Sequence, residues 1–214
     1  MGYSLVTGAS GFIGGRLLAE GDRALLRRAA AIPGTVVGDL LAPESLTAAC
    51  AGIECVFHCA GYAHAFSASD PDIHRRINYE GTCNLLKAAG EAGVRRFVFL
   101  SSVKAMAEPG DACVDENWPG EPITPYGRAK RAAEEAVLEA GAKYGMHVAN
   151  LRLAMVYGRG GRATWSAWRA ASAPAGSRPC RKPATAARWY MWMTWWRSCA
   201  WSRRCPRRTG GPTS

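Results

Sequence analysis

The stretch Thr7-Gly8-Ala9-Ser10-Gly11-Phe12-Ile13-Gly14 decides the fold. It joins a β-rich apolar run at residues 3–7 to a segment at residues 11–20 whose apolar side chains recur at helical spacing. The three glycines have the spacing G-x-x-G-x-x-G, which lets a backbone turn tightly and approach a pyrophosphate at a helix N-terminus. A tight strand–helix turn that binds nothing could use the same glycines, so the rest of the chain has to decide between the two interpretations.

Beyond this loop, β-rich runs alternate with helical patterns. The runs at 25–26, 35–37, 54–59, 96–101 and 147–153 predict strands, and the periodic segments at 43–51, 72–92 and 126–143 predict helices. Such alternation is typical of a parallel sheet covered by helices on both faces, with right-handed crossovers. We therefore predict an α/β fold with a doubly wound parallel sheet, and this context favours a dinucleotide-binding role for the glycine loop.

Two further patterns carry chemistry. Tyr126 and Lys130 stand four positions apart, so they share one face of the predicted helix. A phenol titrates near pH ~10 unaided, and a nearby ammonium favours the phenolate, so the pair suits acid–base chemistry at neutral pH. Ser101 and Ser102 end a predicted strand, at the sheet edge where ligands bind in such folds. An exposed Tyr/Lys pair and a simple serine turn remain the alternatives.

In this order, the patterns resemble the extended short-chain dehydrogenases/reductases, the NAD-dependent epimerase/dehydratase family. The similar segments span residues 3–162 and include TGASGFIG at 7–14, FHCAG at 57–61, NYEGT at 78–82, FVFLSS at 97–102 and PYGRAK at 125–130. The run Ser101-Ser102-Val103-Lys104 is similar to bacterial members that epimerise or reduce UDP-linked sugars for surface polysaccharides. The resemblance implies a Rossmann-like fold and a nucleotide-sugar substrate.

The resemblance also implies roles for individual residues. Tyr126 would exchange a proton with the reacting sugar oxygen, Ser102 would hydrogen-bond that oxygen, and Lys130 would hold the nicotinamide ribose and tune Tyr126. Hydride would pass between C4 of the sugar and the nicotinamide. Asn78 is expected to be structural. The expected cofactor-binding residues are Gly8, Ser10, Gly11, Phe12, Ile13, Gly14, Arg27, Asp39, Leu40, Ala60, Gly61, Tyr126 and Lys130.

The residues after the second strand bear on the choice of cofactor. Enzymes that use NAD usually place an acidic residue there to bind the ribose 2′-hydroxyl. This chain has Arg27-Arg28 instead, and a guanidinium suits a 2′-phosphate. The cofactor is therefore expected to be NAD or NADP, with Arg27 favouring NADP. In the alternative interpretation both arginines are simply solvated.

Residues 163–214 differ in composition from the rest of the chain. Residues 1–162 hold 17 Lys and Arg and all 17 Asp and Glu, so they are neutral on balance. Residues 163–214 hold ten basic residues, no acidic one, and seven of the eight tryptophans. The resemblance also stops after Arg162. We therefore expect an NAD(P)-binding domain with the catalytic set at 1–162, and a basic tail of low order at 163–214 instead of the substrate domain of the family.

The tail can be interpreted as an out-of-frame translation. Trp and Met each have one codon, so the segment WYMWMTWW at 189–196 nearly fixes its own nucleotides. Read from the last base of the Arg188 codon, those nucleotides encode Val-(His or Tyr)-Val-Asp-Asp, a stretch that the similar family has in this region. The alternative is a tail selected to bind nucleic acid or a membrane surface, but four prolines at 174, 179, 183 and 206 interrupt any long helix.

Composition bounds the remaining function classes. No apolar run is long enough to span a membrane, and no signal peptide is expected before the first strand. The cysteines up to residue 162 form no metal-ligand pattern, so no metal is expected and a cytoplasmic location fits best. Nucleic acid is not an expected partner, and a homodimer through the Rossmann helices is an open alternative. The rival functions are an NADP-dependent reductase of a non-sugar carbonyl and a non-catalytic dinucleotide-binding module.

Overall fold

The computed structural model describes residues 3–63, 70, 72–110, 112–154 and 156. Its regular elements are β1 (Tyr3–Thr7), α1 (Gly14–Leu17), β2 (Arg23–Leu26), β3 (Thr35–Val37), α2 (Glu44–Cys50), β4 (Ile53–His58), α3 (Gly81–Glu91), β5 (Arg96–Ser102), α4 (Pro125–Tyr144) and β6 (His147–Leu153). A π-helical turn, Arg75–Glu80, continues directly into α3, and a short 3₁₀ helix, Val103–Ala105, follows β5.

The six strands form one sheet in the order β3-β2-β1-β4-β5-β6, and every neighbouring pair is parallel. The predicted doubly wound parallel sheet is therefore confirmed. The chain winds outward in opposite directions from the β1–β4 pair, where Thr7 lies opposite His58. In sheets of this kind ligands bind in the crevice beyond the carboxyl ends of the strands at such a switch point.

The core explains why the strand sequences are continuously apolar. Leu5, Val56, Phe97 and Phe99 are fully buried in the sheet, as expected for parallel strands that helices cover on both faces. The helices add Leu46, Leu85, Leu86 and Val137 to the same apolar cluster. This packing fixes α3 and α4 against the sheet, and both of these helices carry residues of the site described below.

Helix α1 is shorter than the helix predicted at residues 11–20. It ends at Leu17, because Leu18 already has an extended conformation with ψ of 122°. The side chain of Asp22 then closes the connection to β2 by accepting hydrogen bonds from the N–H groups of Ala19, at 2.9 Å, and Ser4, at 3.3 Å. The predicted helix at 72–92 is instead divided between the π-helical turn and α3.

The chain divides into two compact units, Met1–Met155 and Val156–Ser214. Apart from residue 156, the second unit lies outside the described residues. The expectations for the tail at 163–214 therefore fall on residues that the structure does not describe. Among the residues that it does describe, no helix has the length and apolarity needed to cross a membrane.

Candidate active site

The glycine loop follows β1 and lies against the end of β4. Gly8 has a φ of 66°, and a Cβ on it would lie 2.8 Å from the backbone N of Ala60. The N–H of Gly11 donates to the carbonyl of Gly8 at 2.8 Å, and a side chain on Gly14 would collide with the same carbonyl. Only glycine fits at positions 8 and 14, because the loop closes tightly beside Ala60.

The predicted cofactor-binding residues come together at the carboxyl edge of the sheet. Ser10 and Gly11 are exposed in the loop, with Phe12 and Ile13 half-buried beside them. Arg27 is exposed directly after β2. These residues follow strands of one parallel sheet and share its carboxyl edge with the ends of β3 and β4.

The segment after β3 is held in place by hydrogen bonds. Asp39 Oδ1 accepts from the N–H of Leu41 at 2.9 Å, while the N–H of Asp39 donates to Ser45 Oγ at 2.9 Å. The carbonyl of Leu40 accepts from the side chain of Asn84 on α3 at 2.8 Å. The carboxylate of Asp39 therefore caps its own turn.

A buried polar network that the sequence argument missed ties these strand ends together. His58 is fully buried, with Nδ1 2.7 Å from Thr7 Oγ1 and Nε2 2.9 Å from Thr82 Oγ1. Because the Thr82 hydroxyl donates to the carbonyl of Asn78, it accepts from His58 Nε2, and Nδ1 accepts from Thr7. Thr7 Oγ1 also accepts from the N–H of Ala60 at 3.1 Å. Burial lowers the pKa of His58 to about 3, so the ring is neutral.

Ser102 and Tyr126 meet where β5 ends and α4 begins. Thr124 caps the helix by accepting from the N–H of Gly127 at 3.0 Å, and Pro125 opens its first turn. The side chain of Ser102 lies close enough to Tyr126 to hydrogen-bond its phenol, an interaction that lowers the pKa of Tyr126. Ser102 Oγ also accepts from the N–H of Lys104 at 3.2 Å, which leaves the Ser102 proton to be donated towards Tyr126.

The pKa of Tyr126 departs from the sequence-based expectation. The ammonium of Lys130 was expected to lower it. Burial instead raises the pKa of Tyr126, and the hydrogen bond with Ser102 opposes that rise only in part. Tyr126 therefore carries its proton at neutral pH.

Lys130 lies buried beneath the site on α4. Its Nζ donates to the carbonyl of Leu100 at 2.8 Å and lies 4.5 Å from the centre of the Phe99 ring. Burial lowers the pKa of Lys130 to about 8, against the opposing influence of Cys59 and Glu134. The side chain is still mainly an ammonium at neutral pH.

Two neighbours define the floor of the site. A Cβ on Gly61 would lie 3.0 Å from Asn78 Oδ1 and 3.5 Å from Lys130 Nζ, so a larger residue there would press on both. Asn78 is buried and binds the backbone of Tyr62 twice: its Oδ1 accepts from the N–H at 2.7 Å and its Nδ2 donates to the carbonyl at 2.9 Å. Ser101 is buried with no partner for its Oγ among the described residues, so Ser102 is the serine that contacts Tyr126.

A doubly wound parallel sheet, a glycine loop after its first strand, and a Ser/Tyr/Lys set at the β5–α4 junction define an extended short-chain dehydrogenase/reductase. The NAD dependent epimerase/dehydratase family matches residues 4–173, and this chain belongs to it. The match extends past Arg162 and stops before the tryptophan-rich segment at 189–196.

Relatives of the chain act on different kinds of substrate. It is 33% identical over 184 residues to a 3-beta-hydroxysteroid dehydrogenase of Mycolicibacterium neoaurum, a match that covers 75% of this chain and 49% of that protein. It is 31% identical over 137 residues to a UDP-glucose 4-epimerase of Vibrio cholerae, covering 61% of this chain and 41% of that protein. The chain thus spans about half the length, or less, of these relatives.

A similar solved structure is that of MoeE5 in complex with UDP-glucuronic acid and NAD. It has a TM-score of 0.67 and 34% identity, and the match covers 78% of this chain and 60% of MoeE5. In this chain the loop at Gly8 lies directly against the backbone of Ala60, with no side chain between the ends of β1 and β4. No cluster of His, Cys, Asp and Glu able to hold a metal ion occurs among the described residues.

Proposed function

We propose that this protein is an NAD(P)-dependent epimerase or ketoreductase acting at C4 of a nucleotide-linked sugar. The observation that carries the proposal is the meeting of Ser102 and Tyr126 where β5 ends and α4 begins, with the buried ammonium of Lys130 on the same helix held on the carbonyl of Leu100. A bound nicotinamide dinucleotide would supply the hydride chemistry. Gly8, Gly11 and Gly14 would hold its pyrophosphate.

The side chains supply the proton chemistry. Because burial raises the pKa of Tyr126, its phenol is the acid that protonates a keto oxygen when the substrate is reduced. Ser102 shares a hydrogen bond with that phenol and orients it towards the reacting oxygen. Lys130, held on the carbonyl of Leu100, presents a positive charge next to Gly61, where it would bind a ribose hydroxyl.

The cofactor choice is proposed from the end of β2. Arg27 and Arg28 follow this strand directly and are exposed, so their guanidinium groups are available to a 2′-phosphate. The Asp39 carboxylate, on the neighbouring strand end, is already bound to the N–H of Leu41. These features favour NADP over NAD.

A hydroxysteroid is the second candidate substrate. One relative is a 3-beta-hydroxysteroid dehydrogenase. Two apolar side chains adjoin the catalytic residues in sequence: Val103, after Ser102, is 43% exposed, and Ile123, just before the cap of α4, is 67% exposed. An apolar ring system would bury this surface, whereas a nucleotide sugar would gain little from it.

The test is turnover by the full 214-residue chain with NAD⁺ or NADP⁺, offered either UDP-glucose and UDP-glucuronic acid or a 3β-hydroxysteroid. We expect clear dinucleotide binding and weak turnover of the nucleotide sugar, since the chain spans about half the length of its relatives. Tyr126→Phe should abolish turnover and leave dinucleotide binding intact. Equal turnover in Tyr126→Phe would contradict the assigned acid, and turnover of the steroid alone would favour the second candidate.

We further propose that residues from about 163 onward are the frame-shifted remainder of the family fold. The proposal is supported by the concentration of tryptophan and basic residues after Arg162 and by the shifted reading of residues 189–196. Sequencing the gene around the Arg162 codon tests it. An insertion or deletion relative to a close relative is expected there, and an uninterrupted common reading frame would exclude the proposal.

A further inference from the structure

His74 lies buried beside Tyr126, the proposed catalytic tyrosine. It is 7% exposed, and its ring makes an edge contact with the ring of Tyr126, with centroids 5.6 Å apart and planes at 72°. A second aromatic ring, that of Tyr62, lies 5.4 Å away at 58°. Both contacts fall in the range of favourable edge-to-face aromatic pairs.

Asn78 contacts one ring nitrogen of His74. The backbone of Tyr62 fixes the orientation of the Asn78 amide, since its N–H donates to Oδ1 and its carbonyl accepts from Nδ2. The Asn78 Nδ2 group, which also lies 3.5 Å from His74 Nδ1, can only donate. His74 Nδ1 is therefore placed to accept from Asn78.

The backbone holds this pair in register. His74 and Asn78 are four positions apart on one helical face, and the π-helical turn Arg75–Glu80 begins directly after His74. Such turns are frequent at functional sites. The same Asn78 contacts the Gly61 position, next to Lys130, so one amide connects the floor of the site with the ring that touches Tyr126.

We propose that His74 is a positioning residue for Tyr126: its ring holds the phenol by an edge contact, and Asn78 holds His74. The expected effect of His74 on turnover rests on the proposed function. Its expected effect on the Tyr126 ring does not. Removing the imidazole should loosen the phenol and admit water beside it. Since burial is what raises the pKa of Tyr126, that pKa should then fall.

The test compares three variants of the full chain by following the titration of carbon-13-labelled tyrosine, with the Tyr126 signal assigned by its loss in Tyr126→Phe. His74→Asn keeps a hydrogen-bond acceptor but no large ring, and should lower the pKa of Tyr126. His74→Phe keeps a ring and should leave it unchanged. Arg75→Ala, at an exposed position on the same turn, is the control and should also leave it unchanged.

Turnover gives an independent measure. His74→Asn should lower kcat by about tenfold to 100-fold, the effect of a small misplacement of a catalytic group, with the KM for the dinucleotide unchanged. If the unmodified chain binds dinucleotide but turns over no substrate, the proposed function fails while the Tyr126 titration still decides the role of His74.

Three results would overturn the inference. The first is a Tyr126 pKa that does not change in His74→Asn. The second is a change of the same size in His74→Asn and in either His74→Phe or Arg75→Ala. The third is a proton on Nδ1 of His74 in the unmodified protein. The last result is read from nitrogen-15 NMR of labelled histidine, with His74 assigned by its absence from a variant. This measurement is made on the unmodified protein. It needs one folded variant to assign the His74 signal, and any His74 substitution that folds can serve.

Discussion

Replacing Gly8 by alanine tests whether the close approach of β1 and β4 is what requires a glycine. Gly8 has a φ of 66°, a left-handed conformation that costs an L-residue about 1–2 kcal/mol. A Cβ would also lie 2.8 Å from the backbone N of Ala60, and overpacking of this kind costs about 1–3 kcal/mol more. Gly8→Ala should therefore lower the free energy of unfolding by about 2–5 kcal/mol and weaken dinucleotide binding.

Gly52 provides the matched control. Its φ is 70°, and nothing lies within 4 Å of the position a Cβ would take, so Gly52→Ala should cost only the left-handed strain of about 1–2 kcal/mol. Urea unfolding measures both free energies, and the fluorescence of bound NADPH or NADH measures affinity. Equal losses of stability in the two variants, or full dinucleotide affinity in Gly8→Ala, would refute the argument from the strand contact.

Three further predictions concern charge. Glu134→Gln breaks the ion pair that the buried Glu134 side chain, 4% exposed, forms with Arg152 at 2.7 Å. This substitution should lower the free energy of unfolding by about 3–5 kcal/mol. A loss under about 1 kcal/mol in urea unfolding would show that the pair adds little. Because the pKa of His58 is lowered from 6.5 to about 3, the unfolded chain takes up a proton first as the pH falls through that window. His58 should then lower the free energy of unfolding by about 1.4 kcal/mol for each unit by which the pH falls. His58→Gln should remove this part of the pH dependence of stability. An unchanged pH dependence would contradict the neutral state assigned to His58. Arg27→Ala should weaken NADPH binding about tenfold or more and leave NADH binding unchanged, with Arg75→Ala as the control; equal effects on both dinucleotides would place Arg27 away from the 2′-phosphate.

Local patterns explain why the sheet and the glycine loop could be predicted. Strand periodicity, the spacing of the three glycines and the spacing of Tyr126 and Lys130 are local patterns, whereas the contact that requires glycine at Gly8 is made with Ala60 after β4. The early end of α1 was not predictable, because it follows from a side chain, Asp22, that binds across to β1. The hydrogen bond between His58 and Thr7 joins positions 51 residues apart, and no spacing in the sequence indicates it.

The direction of the Tyr126 pKa shows where spacing alone fails. Four residues of separation place Tyr126 and Lys130 on one helical face, but they do not say what else the ammonium binds. In the structure Lys130 donates to the carbonyl of Leu100, and burial outweighs the hydrogen bond from Ser102 at Tyr126. The helix face thus predicts that Tyr126 and Lys130 share one side of α4, whereas packing of α4 on β5 decides what each of them binds. In the proposed function a protonated phenol donates to the keto oxygen, so the supports of the Tyr126 ring, His74 among them, would be part of the acid chemistry.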